Sequence, residues 1–246
     1  MTEIAFDKYA AKGAYHWTEC FGPVHRLNAF TLGRYKMVLS ALRAHNIDRG
    51  HRVLDVGCGD GALSGLIAMQ LAAQVEGVDV TPLSIELARA EFAKRGLNGR
   101  FQAIDGYAYP FDADTFSAVV CSEVVEHVQK PAEMLTEMWR VLAPGGILVV
   151  TTPVRYTEQP LDPMHVQEWF PGEFENFCAS VLHEPVDLRL SHPVALAEIY
   201  ASPSPWVGRI GRLAMNVMCR VGWNAFLWPS RFRAFAGQTA IVRKPS

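Results

Sequence analysis

Residues 53–61, VLDVGCGDG, decide the fold. The stretch is apolar and then rich in glycine, and the segment after it, GALSGLIAMQLAA, has helical periodicity, so we predict a strand, a tight turn and a helix. Gly57, Gly59 and Gly61 fall in the turn, where a backbone without side chains can approach a ligand and the helix N-terminus faces it. The spacing also fits the permissive dinucleotide fingerprint G-x-G-x-x-G/A through Ala62, so nucleotide binding and sulfonium binding both remain open.

The same alternation of strand and helix continues along the chain. Helices are predicted for TPLSIELARAEFAKRG, PAEMLTEMWRVLAPGG and PGEFENFCASV, and strands for QVEGVDV, GRFQAID, FSAVVCS, GGILVVTT, VDLRLSH and QTAIVRK. Alternating elements of this kind predict a largely parallel sheet that is covered on both faces by right-handed crossovers.

The chain length favours one domain, residues 1–246. Residues 1–50 are helical in pattern and form an N-terminal cap, and the α/β core takes residues 51–194 and 237–246. Residues 195–236 are rich in Trp, Pro and Arg and are longer than a connecting loop should be, so we interpret them as an inserted helical lid.

Composition places the chain among globular proteins, since half of its 246 residues are apolar and a fifth are charged. The N-terminus lacks the apolar stretch of a signal peptide, and no later run is long enough to span a bilayer. The cysteines are odd in number and lack paired spacing, which indicates a reducing, cytoplasmic compartment. They are Cys20, Cys58, Cys121, Cys178 and Cys219.

Charge is distributed unevenly behind a formal total of -2. Glu198 is the last acidic residue, and only basic charges follow it. A surface of this kind often meets an anionic partner, although it can also be a solvated face. The basic residues after Glu198 are Arg209, Arg212, Arg220, Arg231, Arg233, Arg243 and Lys244.

Asp55 distinguishes the two candidate ligands of the glycine turn. It precedes Gly57 by two residues, and its carboxylate would repel a pyrophosphate but attract a cationic amino acid moiety. Together with three later segments, the turn resembles the class I S-adenosylmethionine (SAM)-dependent methyltransferases over residues 50–180. The matching segments are VLDVGCGDG, GVDVTPLSIELAR, FQAIDGYAYPFDADTFSAVVCSEVVEHV and RVLAPGGILVVTTP.

The resemblance implies a Rossmann-like, doubly wound α/β fold with a seven-stranded sheet and an antiparallel last strand. It also implies that the glycine turn lines the methionine part of SAM, that Asp79 holds the ribose, and that Asp105 borders the adenine. The less favoured alternatives are that Asp79 is only a strand-terminal cap and Asp105 only a turn residue before Gly106. The full predicted cofactor set is Arg34, Asp55, Gly57, Cys58, Gly59, Asp79, Val80, Asp105, Gly106 and Ser122, with Arg34 a candidate for the SAM carboxylate.

The segment EVVEH carries the candidate chemistry. One helical turn would bring Glu123, Glu126 and His127 to a common face. The segment resembles the divalent-cation site of ubiquinone-biosynthesis O-methyltransferases and of small-RNA 3′-end 2′-O-methyltransferases. His165 is placed where the RNA enzymes have a further histidine ligand.

Three roles for this cluster remain open. It could hold a divalent metal that lowers the pKa of a substrate oxygen, and Mn²⁺, Fe²⁺ or Zn²⁺ would suit the ligands better than Mg²⁺. Alternatively, His127 could act as a general base without metal. The third role is structural or is confined to hydrogen bonding with substrate.

The predicted lid contains an amphipathic stretch over residues 206–228. A polar stripe and an apolar stripe lie on opposite faces of a helix, and tryptophans flank them. This composition fits peripheral contact with a membrane, but we favour a helix packed over the active site or in a homodimer interface. An anionic substrate is a third use for the arginines. The polar stripe is Arg209, Arg212, Asn216 and Arg220, the apolar stripe Ile210, Leu213, Val217 and Val221, and the tryptophans Trp206, Trp223 and Trp228.

These features predict a SAM-dependent O-methyltransferase that acts on a small molecule, a glycan or a lipid-linked acceptor. RNA 3′-end 2′-O-methylation is the second hypothesis; it usually needs a basic groove, and an overall acidic chain without RNA-binding appendages argues against a nucleic acid partner. N-methylation of an amino sugar and a non-catalytic SAM-binding role are the remaining alternatives.

Overall fold

A computed structural model describes residues 8–158, 160, 162–228 and 234–246. Its strands, in chain order, are β1 (Arg52–Val56), β2 (Gln74–Asp79), β3 (Gly99–Ala103), β4 (Phe116–Ser122), β5 (Leu142–Pro153), β6 (Val186–Pro193) and β7 (Phe235–Arg243). Its α-helices are α1 (Lys8–Lys12), α2 (Tyr15–Phe21), α3 (Ala29–Ala44), α4 (Ala62–Leu71), α5 (Pro82–Lys94), α6 (Pro131–Val141), α7 (Pro171–Leu182), α8 (Val194–Ala201) and α9 (Val207–Arg220).

The strands form one seven-stranded sheet in the order β3-β2-β1-β4-β5-β7-β6. The first five are parallel, and β7 runs antiparallel to both β5 and β6. The predicted doubly wound α/β class, with its antiparallel last strand, is confirmed. Strand order reverses between β1 and β4, and in open α/β sheets ligands bind outside the carboxyl ends of the strands at such a point.

Alternating side chains of the parallel strands build a hydrophobic core on each face of the sheet. Val53 packs with α3, α4 and α5 on one face, where Leu39 and Ile67 are buried. Leu54, its neighbour in β1, packs on the other face with α6 and α7 through Leu135 and Phe174. Because consecutive strand residues point to opposite faces, strands covered on both sides are apolar throughout.

The segment between β6 and β7, predicted as a lid, contains α8, α9 and a 3-10 turn (Ala225–Leu227). It packs against the start of α3 in a separate apolar cluster that contains Ala29, Met215 and Phe226. Arg231 and Arg233, which belong to the predicted basic run, lie outside the described residues. In the part of the chain that is described, no helix has the length and apolar character needed to cross a membrane.

Candidate active site

The glycine turn follows β1 with three left-handed residues. The φ angles of Gly57, Gly59 and Gly61 are 69°, 54° and 78°. The amide groups of Gly57 and Cys58 both donate to the carbonyl of Val78 in β2, at 2.8 and 3.0 Å. A Cβ on Gly57 would lie 2.3 Å from Cγ2 of Val124, so only glycine fits this position.

Asp79 joins the glycine turn to the start of α5. Its Oδ2 accepts from the amide of Gly59 at 2.9 Å, and its Oδ1 accepts from the amide of Thr81 at 2.8 Å. A carboxylate offers about four lone-pair positions, so both oxygens retain acceptor capacity. Asp79 is half-buried, and the neighbouring Val80 is exposed.

The predicted adenine-binding residues lie after β3 at the same carboxyl edge of the sheet. Asp105 and Gly106 are both exposed, and Gly106 has a φ of 75°. Their exposure leaves them available to a ligand, and their turn geometry also agrees with the alternative that Asp105 is a turn residue.

Asp55 is less accessible than the sequence suggested. It is only 2% exposed, and its Oδ2 accepts from the hydroxyl of Ser64 in α4 at 2.6 Å. Burial raises the pKa of Asp55 to about 7. The carboxyl group is therefore enclosed between β1 and α4, where it fixes the helix to the strand.

The N-terminal helices cover the glycine turn through Asp60, which the sequence interpretation missed. Asp60 is buried, and its carboxylate accepts from the amide of His16 at 2.9 Å. The indole of Trp17 donates to the Asp60 carbonyl at 2.6 Å. A Cβ on Gly59 would lie 2.0 Å from the hydroxyl of Tyr9. An aspartate between two turn glycines was the available sequence signal for this contact.

Glu123 and Arg34 form an ion pair at the end of β4. Nη1 of Arg34 lies 3.0 Å from Oε2 of Glu123, and the Thr151 hydroxyl donates to Oε1 at 3.0 Å. Ser122 lies beside them, with its Oγ 3.0 Å from Oγ1 of Thr151. Within the described residues, Nε of Arg34 is buried without a hydrogen-bond partner.

This pair corrects the predicted common helical face. Glu123 adopts a left-handed φ of 58°, which interrupts any α-helix, and a short 3-10 turn (Val125–His127) follows it. The carboxylate of Glu123 is thereby directed to Arg34 and is not among the ligand atoms that come together around Glu126.

Three of the four predicted metal ligands do come together. Glu126, His127 and His165 each offer a ligand atom within 4.8 Å of the others. Glu126 is fully buried, and its Oε2 accepts from the Thr152 hydroxyl at 3.1 Å. Its Oε1 has no hydrogen-bond partner in the described part of the chain. Burial and the nearby Glu123 raise the pKa of Glu126 well above its usual range.

The two histidines meet edge to face, with ring centroids 4.8 Å apart. Nδ1 of His127 is 2.9 Å from the carbonyl of Met164, which can only accept, so Nδ1 carries the proton and Nε2 the lone pair. Nδ1 of His165 lies 2.5 Å from Oε1 of the buried Glu168. Burial lowers the pKa of His127, which favours the neutral imidazole that a metal ligand or a general base requires.

The loop that carries His165 is tied to Glu126 through the backbone. The carbonyl of Glu126 accepts from the amides of Val166 and Gln167 at 2.8 and 3.3 Å. Thr151, Thr152 and Glu168, which orient the acidic and imidazole groups, were not predicted. The two threonines end β5, which pairs with β4, so their position beside Glu123 and Glu126 follows from the order of the strands.

Comparison with known proteins agrees with this architecture. The methyltransferase domain family matches residues 53–146. The ubiquinone biosynthesis O-methyltransferase of Roseobacter denitrificans is 32% identical over 181 residues, which are 69% of this chain and 72% of that protein. The enzyme of the same name from Xanthomonas axonopodis pv. citri is 36% identical over 148 residues, 59% of each chain. The chain thus spans less than two thirds of the length of this second relative.

A solved structure gives the same fold. It is the complex of the Haloferax volcanii Trm112 methyltransferase activator with a methyltransferase, at 19% identity and a TM-score of 0.68, and the match covers 100% of both chains. The chain belongs to the SAM-dependent methyltransferase family, as its sequence predicted.

Proposed function

We propose that this protein transfers the methyl group of SAM to a hydroxyl oxygen of a small-molecule acceptor. The observation that carries the proposal is the cluster of Glu126, His127 and His165 at the carboxyl end of β4, beside the strand-order reversal. The names of the relatives, which are ubiquinone biosynthesis O-methyltransferases, support oxygen as the nucleophile.

The residues of the glycine turn fit the predicted cofactor. The turn would line the methionine part of SAM, with Val124 and Tyr9 packed against Gly57 and Gly59, and Asp79 keeps acceptor positions for the ribose hydroxyls. SAM supplies the methyl group as a sulfonium. Asp105 and Gly106, exposed at the same edge, would border the adenine.

Proton removal is the chemical task of the cluster. An alcohol or phenol must lose its proton as the oxygen attacks the methyl carbon, because the product ether has no place for it. The contact of Nδ1 with the Met164 carbonyl places the proton of His127 on Nδ1, and burial lowers its pKa, which favours the neutral imidazole that a general base requires.

The same residues fit a divalent metal. One carboxylate and two imidazoles are a ligand set that suits Mn²⁺, Fe²⁺ or Zn²⁺, and both histidines have the Nδ1 contacts to oxygen that orient metal-binding imidazoles. The observation that favours a cation is that Oε1 of Glu126 has no hydrogen-bond donor among the residues the structure describes, since a buried carboxylate oxygen without a donor is costly. A bound metal would lower the pKa of the acceptor hydroxyl.

Three substitutions test the proposal: Glu126→Gln, His127→Ala and His165→Ala, with His25→Ala as an exposed control. Each protein is given methyl-labelled SAM and a small-molecule extract of the producing cells, and the label is partitioned between water and butanol. SAM binding, measured by calorimetry, should remain within about twofold, whereas transfer by the Glu126 and His127 variants should fall about 100-fold or more. Normal methyl transfer by both the Glu126→Gln and the His127→Ala variants would show that this cluster is not the catalytic site.

Metal binding has a separate readout. Chelator-treated protein is titrated with Mn²⁺ and Zn²⁺, and bound metal is measured directly. If the cluster is a metal site, the His165→Ala variant should lose at least about tenfold in metal affinity, and EDTA should abolish transfer by the native protein. If no metal binds and EDTA has no effect, the metal role is wrong and His127 remains as the general base.

A further inference from the structure

The helix α9 is turned so that its apolar stripe faces outward. Asn216, on the buried side of the helix, is 3% exposed and makes four hydrogen bonds, to α8, to the first residue of α3 and to the turn before it. Its Oδ1 accepts from the amide of Ala29 and the hydroxyl of Tyr200, both at 3.0 Å, and its Nδ2 donates to the carbonyls of Val24 and Leu27 at 3.1 and 2.6 Å. The helix cannot roll its apolar stripe inward without breaking these bonds.

The outward face is strongly apolar and contiguous. From Trp206 to Val221 its members follow each other at intervals of three or four residues, which places them on one side of the helix, and Trp223 lies just beyond the helix end. Soluble monomers rarely expose a row of this size, so the face indicates contact with something apolar. The exposed fractions are 76% for Trp206, 61% for Ile210, 52% for Leu213, 46% for Val217, 70% for Val221 and 66% for Trp223.

Positive charge borders this face. Arg209 and Arg220 are exposed on α9, and no acidic residue occurs in the sequence after Glu198. Arg212 is instead turned inward, where its Nη1 donates to the carbonyl of Tyr200 at 2.8 Å. The surface therefore combines an apolar row, a tryptophan at each end and exposed arginines, which complements the interface of an anionic bilayer.

A second copy of the chain fits the face less well. A two-fold axis at α9 would place Arg209 and Arg220 opposite the same residues of the other copy, and the helix offers no carboxylate to neutralise them. We propose that the outer face of α9, from Trp206 to Trp223, docks on anionic phospholipid membranes with the helix lying in the plane of the interface.

Flotation of the full-length protein with vesicles tests this proposal. Vesicles of phosphatidylcholine alone are compared with vesicles that contain 30 mol% phosphatidylglycerol, an amount on the order found in anionic membranes. We expect the protein to float with the anionic vesicles, with a blue shift of its tryptophan fluorescence, and to be released by high salt because arginine contacts are screened.

Matched variants localise the contact. Val217→Glu changes a residue that is 46% exposed, and the control Met69→Glu changes a residue in α4 that is 43% exposed. We expect vesicle binding to weaken about tenfold or more in Val217→Glu, and likewise in the double variant Arg209→Glu with Arg220→Glu. Binding should be unchanged in Met69→Glu, the control for Val217, and in Arg49→Glu, the control for the two arginines. Calorimetry of SAM binding checks that every variant is folded.

Three results would overturn the proposal. The first is a native protein that stays at the bottom of the gradient with anionic vesicles. The second is flotation that survives both sets of α9 substitutions. The third is a stable dimer in light scattering that Val217→Glu dissociates, since the face would then be covered by a second copy.

Discussion

His192 is a buried histidine with both ring nitrogens in use. It is 1% exposed and packs against Phe226, with ring centroids 5.2 Å apart. Nε2 donates to the carbonyl of Phe30 at 2.9 Å, and the hydroxyl of Ser191 donates to Nδ1 at 2.8 Å. Burial lowers the pKa of His192 to about 4, so the ring is neutral in the folded protein at neutral pH.

This histidine makes stability depend on pH. Its pKa is lower in the folded than in the unfolded chain, so between about pH 6.5 and pH 4 the unfolded state binds more protons. We therefore expect His192 to lower the free energy of unfolding by up to about 3 kcal/mol as pH falls through that window. Urea unfolding at several pH values should show a shallower dependence for His192→Asn than for the native protein. The control is His25→Asn, which should keep the native pH dependence. If His192→Asn has the same pH dependence of the free energy of unfolding as the native protein and this control, the prediction is wrong.

At the scale of elements, the buried side-chain amide of Asn216 joins α9 to the start of α3. The four hydrogen bonds of Asn216 connect α9 to α3, to α8 through Tyr200, and to the turn before α3. Met215 and Cys219 add apolar contacts to the same cluster. Asn216 therefore helps to set the orientation of the segment between β6 and β7, together with the Asn224 amide, which donates to the carbonyl of Ala29 at 2.8 Å.

Asn216→Ala should detach this segment. The substitution leaves the buried amide of Ala29 and the carbonyl of Leu27 without these partners, so we expect a loss of about 2 to 4 kcal/mol in the free energy of unfolding. Hydrogen exchange should increase in α8 and α9 but not in β1 or β4. The control Asn98→Ala, at an exposed asparagine, should change neither the free energy of unfolding nor the hydrogen exchange of α8 and α9. Unaltered exchange in α9 would show that apolar packing alone holds the helix.

At the scale of the whole molecule, the last strand lies inside the sheet. β7 pairs with β5 on one side and with β6 on the other, from Ile147 opposite Arg243 to Pro193 opposite Phe235. Ala240 and Val242 are fully buried in the core beneath α7. β7 thus connects the edge strand β6 to the five parallel strands.

Removal of residues 235–246 should abolish cooperative folding, because it separates β6 from β5 and exposes both of their edges. Near-ultraviolet circular dichroism and urea unfolding should show a loss of fixed tertiary structure. Removal of residues 245–246 alone is the control and should leave the unfolding midpoint nearly unchanged. If the protein without residues 235–246 still unfolds cooperatively in urea, β5 is stable as an edge strand and the prediction is wrong.

The sequence determined the order and type of the core elements. Each strand and helix carries its own periodicity, and the glycine turn at 57–61 has a local backbone requirement that no distant contact alters. The predicted α/β class with an antiparallel last strand follows from such local signals, as does the position of Asp79 and Asp105 at strand ends. The approach of His165 to Glu126 and His127 came from the resemblance to known methyltransferases.

Tertiary structure alone decided which partner each polar group takes. Glu123 pairs with Arg34 of a distant helix and has a left-handed backbone that interrupts any α-helix, and neither fact is encoded in the spacing EVVEH. In α9 the periodicity defined two faces but not which one is covered. Asn216 is buried and Val217 exposed because the polar carbonyls and amides at the start of α3 need hydrogen-bond partners, and only packing between distant segments creates that need.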